Sequence, residues 1–179
     1  MISPIQSSVP RVTITERYRA LNRALHISRP DYGSRAHRWS NECRKWARHF
    51  QAKSFLDYGC GTASLSAVVP ELQPWQNYDP AVDMWNYPPK PADLVVCLDV
   101  LEHIEPDCID DVLDELRGLS IKACVMFVDT GPAVKTLPDG RNAHILQRPL
   151  GWWLAAMMKR WTLHTVLNQT PEFLFIGTP

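Results

Sequence analysis

The chemistry of this 179-residue chain concentrates in three short stretches. The first is Leu56-Asp57-Tyr58-Gly59-Cys60-Gly61-Thr62-Ala63, which sets an acid two positions ahead of a Gly-x-Gly pair. Glycines there let a chain leaving a strand bend sharply, and let a ligand approach the backbone with no Cβ in the way. In dinucleotide-binding folds such a turn opens a helix whose free N–H groups face a pyrophosphate. Asp57 lies inside the strand, where a carboxylate could bind an ammonium group. Asp79, 20 residues after Gly59, ends the next strand and could accept both hydroxyls of a ribose. A hydrogen bond to a charged group is worth about 1.5–3 kcal/mol, so Asp79 could decide the affinity for a nucleoside.

The second stretch is Asp99-Val100-Leu101-Glu102-His103, directly after the apolar run Asp93–Leu98. Ligands of open α/β sheets bind at the carboxyl edge of such strands. In a helical conformation, spacings of three and four put Asp99, Glu102 and His103 on one side. With the distant His144 they are candidates for removing a proton from a reacting group. A plainer reading has Glu102 capping a turn or pairing with an arginine, and His103 packing beneath a ligand. The third stretch, Leu137–His144 (LPDGRNAH), crowds hydrogen-bonding side chains into one loop ahead of Trp152 and Trp153. Loops on a rigid scaffold often carry function, and this one is expected to be a lid on the substrate side. Otherwise it is a structured surface loop with both tryptophans in the core.

Periodicity supplies the elements that position these stretches. Ile14, Tyr18, Leu21 and Leu25 form one helical face that Thr13 or Thr15 could cap, and Arg29–Gly33 breaks it. A second helix carries Ala36, Trp39, Cys43, Trp46 and Phe50 on one stripe, its tryptophans read as core. A strand over 54–58, a short helix over 62–69 and a strand over 75–79 follow. The run Asp93–Leu98 is almost continuously apolar, as a parallel strand covered on both faces should be. A helix within 107–117 is expected to stop at Gly118. A strand over 122–129, a Trp- and Met-rich helix over 149–160 and two strands joined at 168–171 complete the pattern. Strands alternating with helices predict an α/β sheet with an antiparallel pair at its end.

Composition narrows the classes. The chain is 45% hydrophobic and 21% charged, ordinary for a soluble protein, and no apolar run approaches the roughly 20 residues of a membrane span. The first residues have neither the basic start nor the apolar stretch of a signal peptide, so a cytoplasmic location is expected. Five cysteines without a CxxC pair argue against paired disulfides and a structural zinc site. Net charge is zero, yet residues 1–53 hold 11 Lys or Arg against 3 Asp or Glu, and the remainder holds 8 against 16. A basic arm on an acidic body could steer nucleic acid or a phosphorylated metabolite through residues 11–53, or could simply pack against that body.

LDYGCGTA, then YDP, then ADLVVCLDVLEHI resembles, in order, the motif series of class I S-adenosylmethionine-dependent methyltransferases. The likeness covers roughly residues 54–130. It implies that Asp57, Gly59 and Gly61 line the methionine moiety, that Asp79 holds the ribose, and that Leu98, Asp99 and Val100 pass near the adenine or sulfonium. Cys60 and Pro80 flank these positions, and Tyr32-Gly33 is expected over the cofactor's carboxylate end. DVLEHIEP and DGRNAH also resemble small methyltransferase-like proteins of phages and prophages. The family's third glycine is Ala63 here. Only 13 residues separate Pro80 from Leu94, and Val82–Pro91 contains three prolines, so the family's third strand and the helix before it cannot both fit. The acid that usually meets the adenine amino group goes with them, leaving Asp83 as a weak substitute. The expected architecture is therefore a Rossmann-like, mostly parallel sheet with a C-terminal antiparallel hairpin, a trimmed edge and a basic helical extension over 1–52, all in one domain spanning 1–179.

The resemblance implies methyl transfer to oxygen or nitrogen of a small or nucleotide-like acceptor, with His103, His144 and Glu102 as the catalytic candidates. The acidic-x-x-Glu-His pattern with a distant histidine is similar to small-RNA 3′-terminal 2′-O-methyltransferases and to some metal-dependent quinone-precursor methyltransferases. In that reading Asp99, Glu102, His103 and His144 would hold a divalent ion. Alternatives are a nucleic-acid methyltransferase using the basic arm, although DPPY-type motifs are absent, and a cofactor-binding regulator without turnover. A nicotinamide dehydrogenase is opposed by Ser64, where its third glycine belongs, and by Asp57.

Overall fold

A computed structural model describes residues 11–29 and 31–179, so the first ten residues of the expected extension over 1–52, and Pro30 of the helix-breaking run, lie outside the described residues. Among the described residues, six strands form one sheet in the order β2-β1-β3-β4-β6-β5. β1 (Phe55–Tyr58), β2 (Trp75–Tyr78), β3 (Ala92–Leu98) and β4 (Ser120–Asp129) are parallel. β5 (Thr162–Gln169) and β6 (Glu172–Thr178) form an antiparallel hairpin that joins the sheet through β6 against β4. This is the expected Rossmann-like sheet. The chain between Asp79 and Ala92 adds no strand beyond β2, so the trimmed edge is real.

Both faces are covered. On one, α4 (Ile109–Leu119) and α5 (Leu150–Met157) bury Val112, Leu113, Leu116, Trp153 and Met157 against Leu56, Val95 and Met126. On the other, a 3-10 turn (Arg35–Trp39), α2 (Ser40–His49) and the short α3 (Ser64–Val68) bury Ala36, Cys43, Trp46 and Leu65 against Leu94, Val96 and Val125. β3 is consequently apolar almost throughout, because side chains of both parities must leave water. Residues 35–49 are thus one layer of the core rather than an extension to it, and the tryptophans of this stretch pack as expected: Trp46 is buried and Trp39 lies 4.2 Å from the Phe127 ring.

Several boundaries differ from expectation: the second helix opens as a 3-10 turn, β4 begins at Ser120 and α5 stops at Met157, and two further differences have a visible cause. Gly118 does not end α4. The helix runs through it to Leu119 and passes directly into β4 at Ser120, with no left-handed residue for a glycine to occupy. The helix after the glycine turn begins at Ser64 rather than Thr62, because Ala63 takes a left-handed conformation with φ of 56°. Glycine would take that conformation freely; alanine bears about 1–2 kcal/mol of strain there.

α1 (Glu16–Ser28) lies apart from both layers. Thr15 caps it, its Oγ1 accepting from Tyr18 N at 3.2 Å, and both Glu105 carboxylate oxygens accept from Thr15, from its N and its Oγ1, at 2.8 Å. Tyr18 donates its hydroxyl to the His103 carbonyl at 2.6 Å, and Arg23 pairs with Asp83 at 2.5 Å. These ties stretch α1 across the carboxyl ends of β1–β3.

Candidate functional site

A cavity of about 260 Å³ lies between that helix and the sheet, at the carboxyl edge where β1, β2, β3 and β4 end. Gly59, Gly61, Asp79, Pro80, Leu98, Asp99, Val100, His103, His144 and Tyr32 all line it. Of the expected cofactor residues, Asp57 and Cys60 do not. Both are about 1% exposed and sit under the turn, with the Cys60 thiol directed at the Gly61 carbonyl. Among the described residues, Asp57 Oδ2 accepts no hydrogen bond. Burial, reinforced by the neighbouring Asp79, raises its pKa to about 7.

The glycines are required by the chain itself. A Cβ on Gly59 would meet the Val100 side chain at 2.4 Å, and one on Gly61 would meet the Gly33 carbonyl oxygen at 2.6 Å. Gly33 is in turn held by Thr62, whose N donates to the Gly33 carbonyl at 3.3 Å. Every amide of the bend is engaged. Those of Gly59 and Cys60 donate to the Tyr78 carbonyl, that of Gly61 to Asp79 Oδ2, that of Thr62 to Gly33 and that of Ala63 to Cys60. The bend from Gly59 to Ala63 therefore has no free N–H to offer an anion. With Asp57 below and Asp79 beside it, the bend suits a cation instead.

Asp79 ends β2 as expected, and it is 8% exposed. Its oxygens accept from Gly61 N at 3.0 Å and Ala81 N at 2.9 Å, which aims the carboxylate into the cavity with lone pairs to spare. Burial raises its pKa, against the pull of these amides and of His26. Asp99 sits at the end of β3 with φ of 58°, and its Oδ2 is buried without a hydrogen bond among the described residues. Burial raises it too, opposed by Arg38 and Arg35.

The remaining chemistry gathers on the far wall. His103 Nδ1 donates to the Ala143 carbonyl at 2.8 Å, and His144 Nδ1 donates to the Gly131 carbonyl at 2.7 Å. Both rings are thereby held in the tautomer that leaves Nε2 as a lone pair, and they meet edge to face with centroids 4.7 Å apart. Glu102 is fully buried; its Oε1 accepts from Asp129 N at 3.0 Å, while Oε2 has no partner among the described residues. One potential ligand atom from each of Glu102, His103 and His144 lies within 4.8 Å of the others. Asp99 does not belong to this group, which removes it from the expected metal-ligand set. Burial pushes Glu102 well above the usual carboxylate range, and burial with the neighbouring His144 holds His103 down to about 3.

The loop before α5 contributes with its first part rather than its tip. Pro132, Ala133, Val134, Lys135 and then Ala143 and His144 line the cavity. The Asp139–Arg141 turn points away and pairs with itself at 2.8 Å. Lys135 bonds Asp31 at 3.0 Å and lies 5.3 Å from the Tyr32 ring centroid, so loop and N-terminal segment close over the cavity together. Trp153 is core and Trp152 is 36% exposed, with neither at the cavity.

Sequence reasoning missed Asn22, His26, Arg35 and Asp129, all of which line the cavity. A signal existed for two of them. Asn22 and His26 follow Tyr18 at steps of four, so they share its inward stripe. The basic arm is partly spent on the body, with Arg23 on Asp83, Arg38 on Glu172 and Arg44 on Glu71. Among the described residues, no helix is long and apolar enough to cross a membrane.

No family model matches the chain, and no curated protein matches it in sequence. Solved structures match it in shape. The 1,6-didemethyltoxoflavin-N1-methyltransferase of Burkholderia thailandensis, with 1,6-didemethyltoxoflavin and S-adenosylhomocysteine bound, is 14% identical, with 95% of this chain and 92% of that one covered and a TM-score of 0.65. The magnesium protoporphyrin IX methyltransferase of Synechocystis PCC 6803, with S-adenosylmethionine bound, is 12% identical over 97% and 99% at 0.62. An O-methyltransferase family protein of Burkholderia thailandensis is 16% identical at 0.59; 88% of this chain is covered, and it spans 61% of the length of that protein. At these identities the likeness establishes the fold.

Proposed function

We propose that this chain is a class I S-adenosylmethionine-dependent methyltransferase acting on oxygen or nitrogen of a small or nucleotide-like acceptor. The observation that carries the reading is the glycine bend. Its amides are all consumed internally while carboxylates lie beneath and beside it, so it favours a ligand with a sulfonium and an ammonium over one with a pyrophosphate. Asp79 takes the ribose hydroxyls, Gly59, Gly61 and Leu98 bound the methionine side, and Tyr32 covers its carboxylate end. Bound S-adenosylmethionine supplies a methyl group already activated for in-line displacement. The chain's work is to align an acceptor against it and exclude water, which α1 and the 131–144 loop accomplish by roofing the cavity. The acceptor's proton goes to His144 Nε2, the lone pair on the cavity wall whose partner nitrogen is fixed by Gly131. His103, held neutral by burial, orients the site.

The test is a thermal-shift series with S-adenosylmethionine, S-adenosylhomocysteine and NAD. A ligand at about 100 times its dissociation constant adds about 2.7 kcal/mol, which raises the melting temperature by several degrees. The two adenosyl ligands should each do so and NAD should not; stabilisation by NAD alone would overturn the reading.

One observation favours a metal-assisted version. One potential ligand atom from each of Glu102, His103 and His144 lies within 4.8 Å of the others, and each imidazole is oriented by a carbonyl, as in the outer shell of metal-binding histidines. These three residues fit a divalent ion, which would polarise an acceptor hydroxyl. Manganese titration by calorimetry should show one site that His144→Ala abolishes. Absence of binding to the wild-type protein would leave the two histidines as proton acceptor and support.

A further inference from the structure

We infer that α1 replaces the missing edge of the sheet in recognising the adenine ring, with the Asn22 side-chain oxygen accepting the adenine amino group. The inference rests on the proposed cofactor and goes beyond it, because the position where the family keeps its adenine-reading acid does not exist in this chain.

Three observations carry it. First, the only nearby acid in the shortened connection is unsuitable. Asp83 is tied to Arg23 at 2.5 Å, its side chain is 70% exposed, and it does not line the cavity. That pairing instead clamps α1 over the trimmed edge. Second, Asn22 faces inward from α1 and is 8% exposed. Its Nδ2 donates to the Tyr18 carbonyl at 3.1 Å, so the amide cannot be turned round and Oδ1 is the atom left over. No hydrogen bond to that oxygen is made among the described residues. That oxygen is not sealed in the core but faces the cavity, where a ligand's donor can reach it. Third, the same cavity has apolar lining. Pro80, Ala81, Val100 and Ile104 come from the segments that follow β2 and β3, and Ile14 from just before α1. An aromatic base against this lining, attached to a ribose on Asp79, would present its exocyclic substituent to the helix above. An oxygen acceptor there admits an amino group and rejects a carbonyl, since two acceptors face to face leave both without a proton.

The experiment compares S-adenosylhomocysteine with S-inosylhomocysteine, in which a carbonyl replaces the amino group, by calorimetry. The wild-type protein should prefer the adenosyl ligand by about tenfold or more, the loss expected from one mismatched buried hydrogen bond. Asn22→Ala should weaken the adenosyl ligand by a similar factor and the inosyl ligand little, erasing the preference. Asn22→Asp keeps an acceptor but loses the bond to the Tyr18 carbonyl; where its circular dichroism matches the wild type, it should retain the preference, which separates loss of the acceptor from misfolding. Equal losses for both ligands, or an undiminished preference in Asn22→Ala, would overturn the assignment. If the wild-type protein binds neither ligand, the failure belongs to the proposed cofactor itself.

Discussion

At the scale of single residues, the costs in this molecule point to where its function lies. Asp57 is a carboxyl group 1% exposed, with one oxygen unpaired, in a strand that would be more stable with an apolar residue there. Its pKa of about 7 lies above its ordinary value, chiefly through burial. A raised carboxyl contributes stability below its unfolded pKa, near 4, and loses it as pH climbs through 7. Asp57→Asn has no such titration, so the difference in unfolding free energy between wild type and variant should move by about 1.4 kcal/mol per pH unit between pH 4 and 7, in favour of the variant. Denaturant melts at pH 5 and 8 check this. At pH 8 the variant should be the more stable protein and bind S-adenosylmethionine more weakly. Equal stability at both pH values would show that Asp57 is charged or hydrated throughout. The residue types of the site were legible from the sequence because strand ends and glycine spacing locate them. Their directions were not: Asp57 and Cys60 point under the turn, and Asn22 and His26 point into the cavity, because those directions depend on packing between distant segments.

Secondary structure followed from pattern wherever one segment decides its own fate. The apolar stripes of α1, α2 and α4, the unbroken apolar run of β3 and the three prolines that deny a strand before it were each readable locally. What α1 does was not, since its placement depends on Glu105, 90 residues away, gripping Thr15. Thr15 serves two purposes, as the helix cap and as the anchor. Thr15→Ala should cost about 1 kcal/mol, the usual value of a lost N-cap. The loss should concentrate in α1: its amides should exchange several-fold faster, and affinity for the adenosyl ligand should fall in step, while amides of β3 and β4 keep their protection. Unchanged exchange in α1 would mean that Tyr18 and Arg23 hold the roof without it.

For the molecule as a whole, the opposed charges of the first 53 residues and the remainder invite an electrostatic account of how the two halves hold together. The structure favours a different one. Arg23–Asp83 and Arg44–Glu71 are largely solvent-exposed pairs, and such pairs contribute about 0–1 kcal/mol each. The apolar contact is of another order, because Ala36, Cys43, Trp46 and Ala47 cover the sheet face formed by Leu94, Val96, Val125 and Ile176. Each fully buried side chain of that kind is worth about 1.5–3 kcal/mol, so uncovering the face removes about as much as the whole stability of an ordinary domain. Replacing Arg23, Arg38 and Arg44 together by glutamine should therefore leave a cooperative thermal transition, lowered by a few degrees. A chain beginning at residue 53 should show none by circular dichroism and should associate through the bared sheet. A cooperative melt from that shortened chain would mean that α3 alone protects the face, and that residues 35–49 serve the cavity rather than the core.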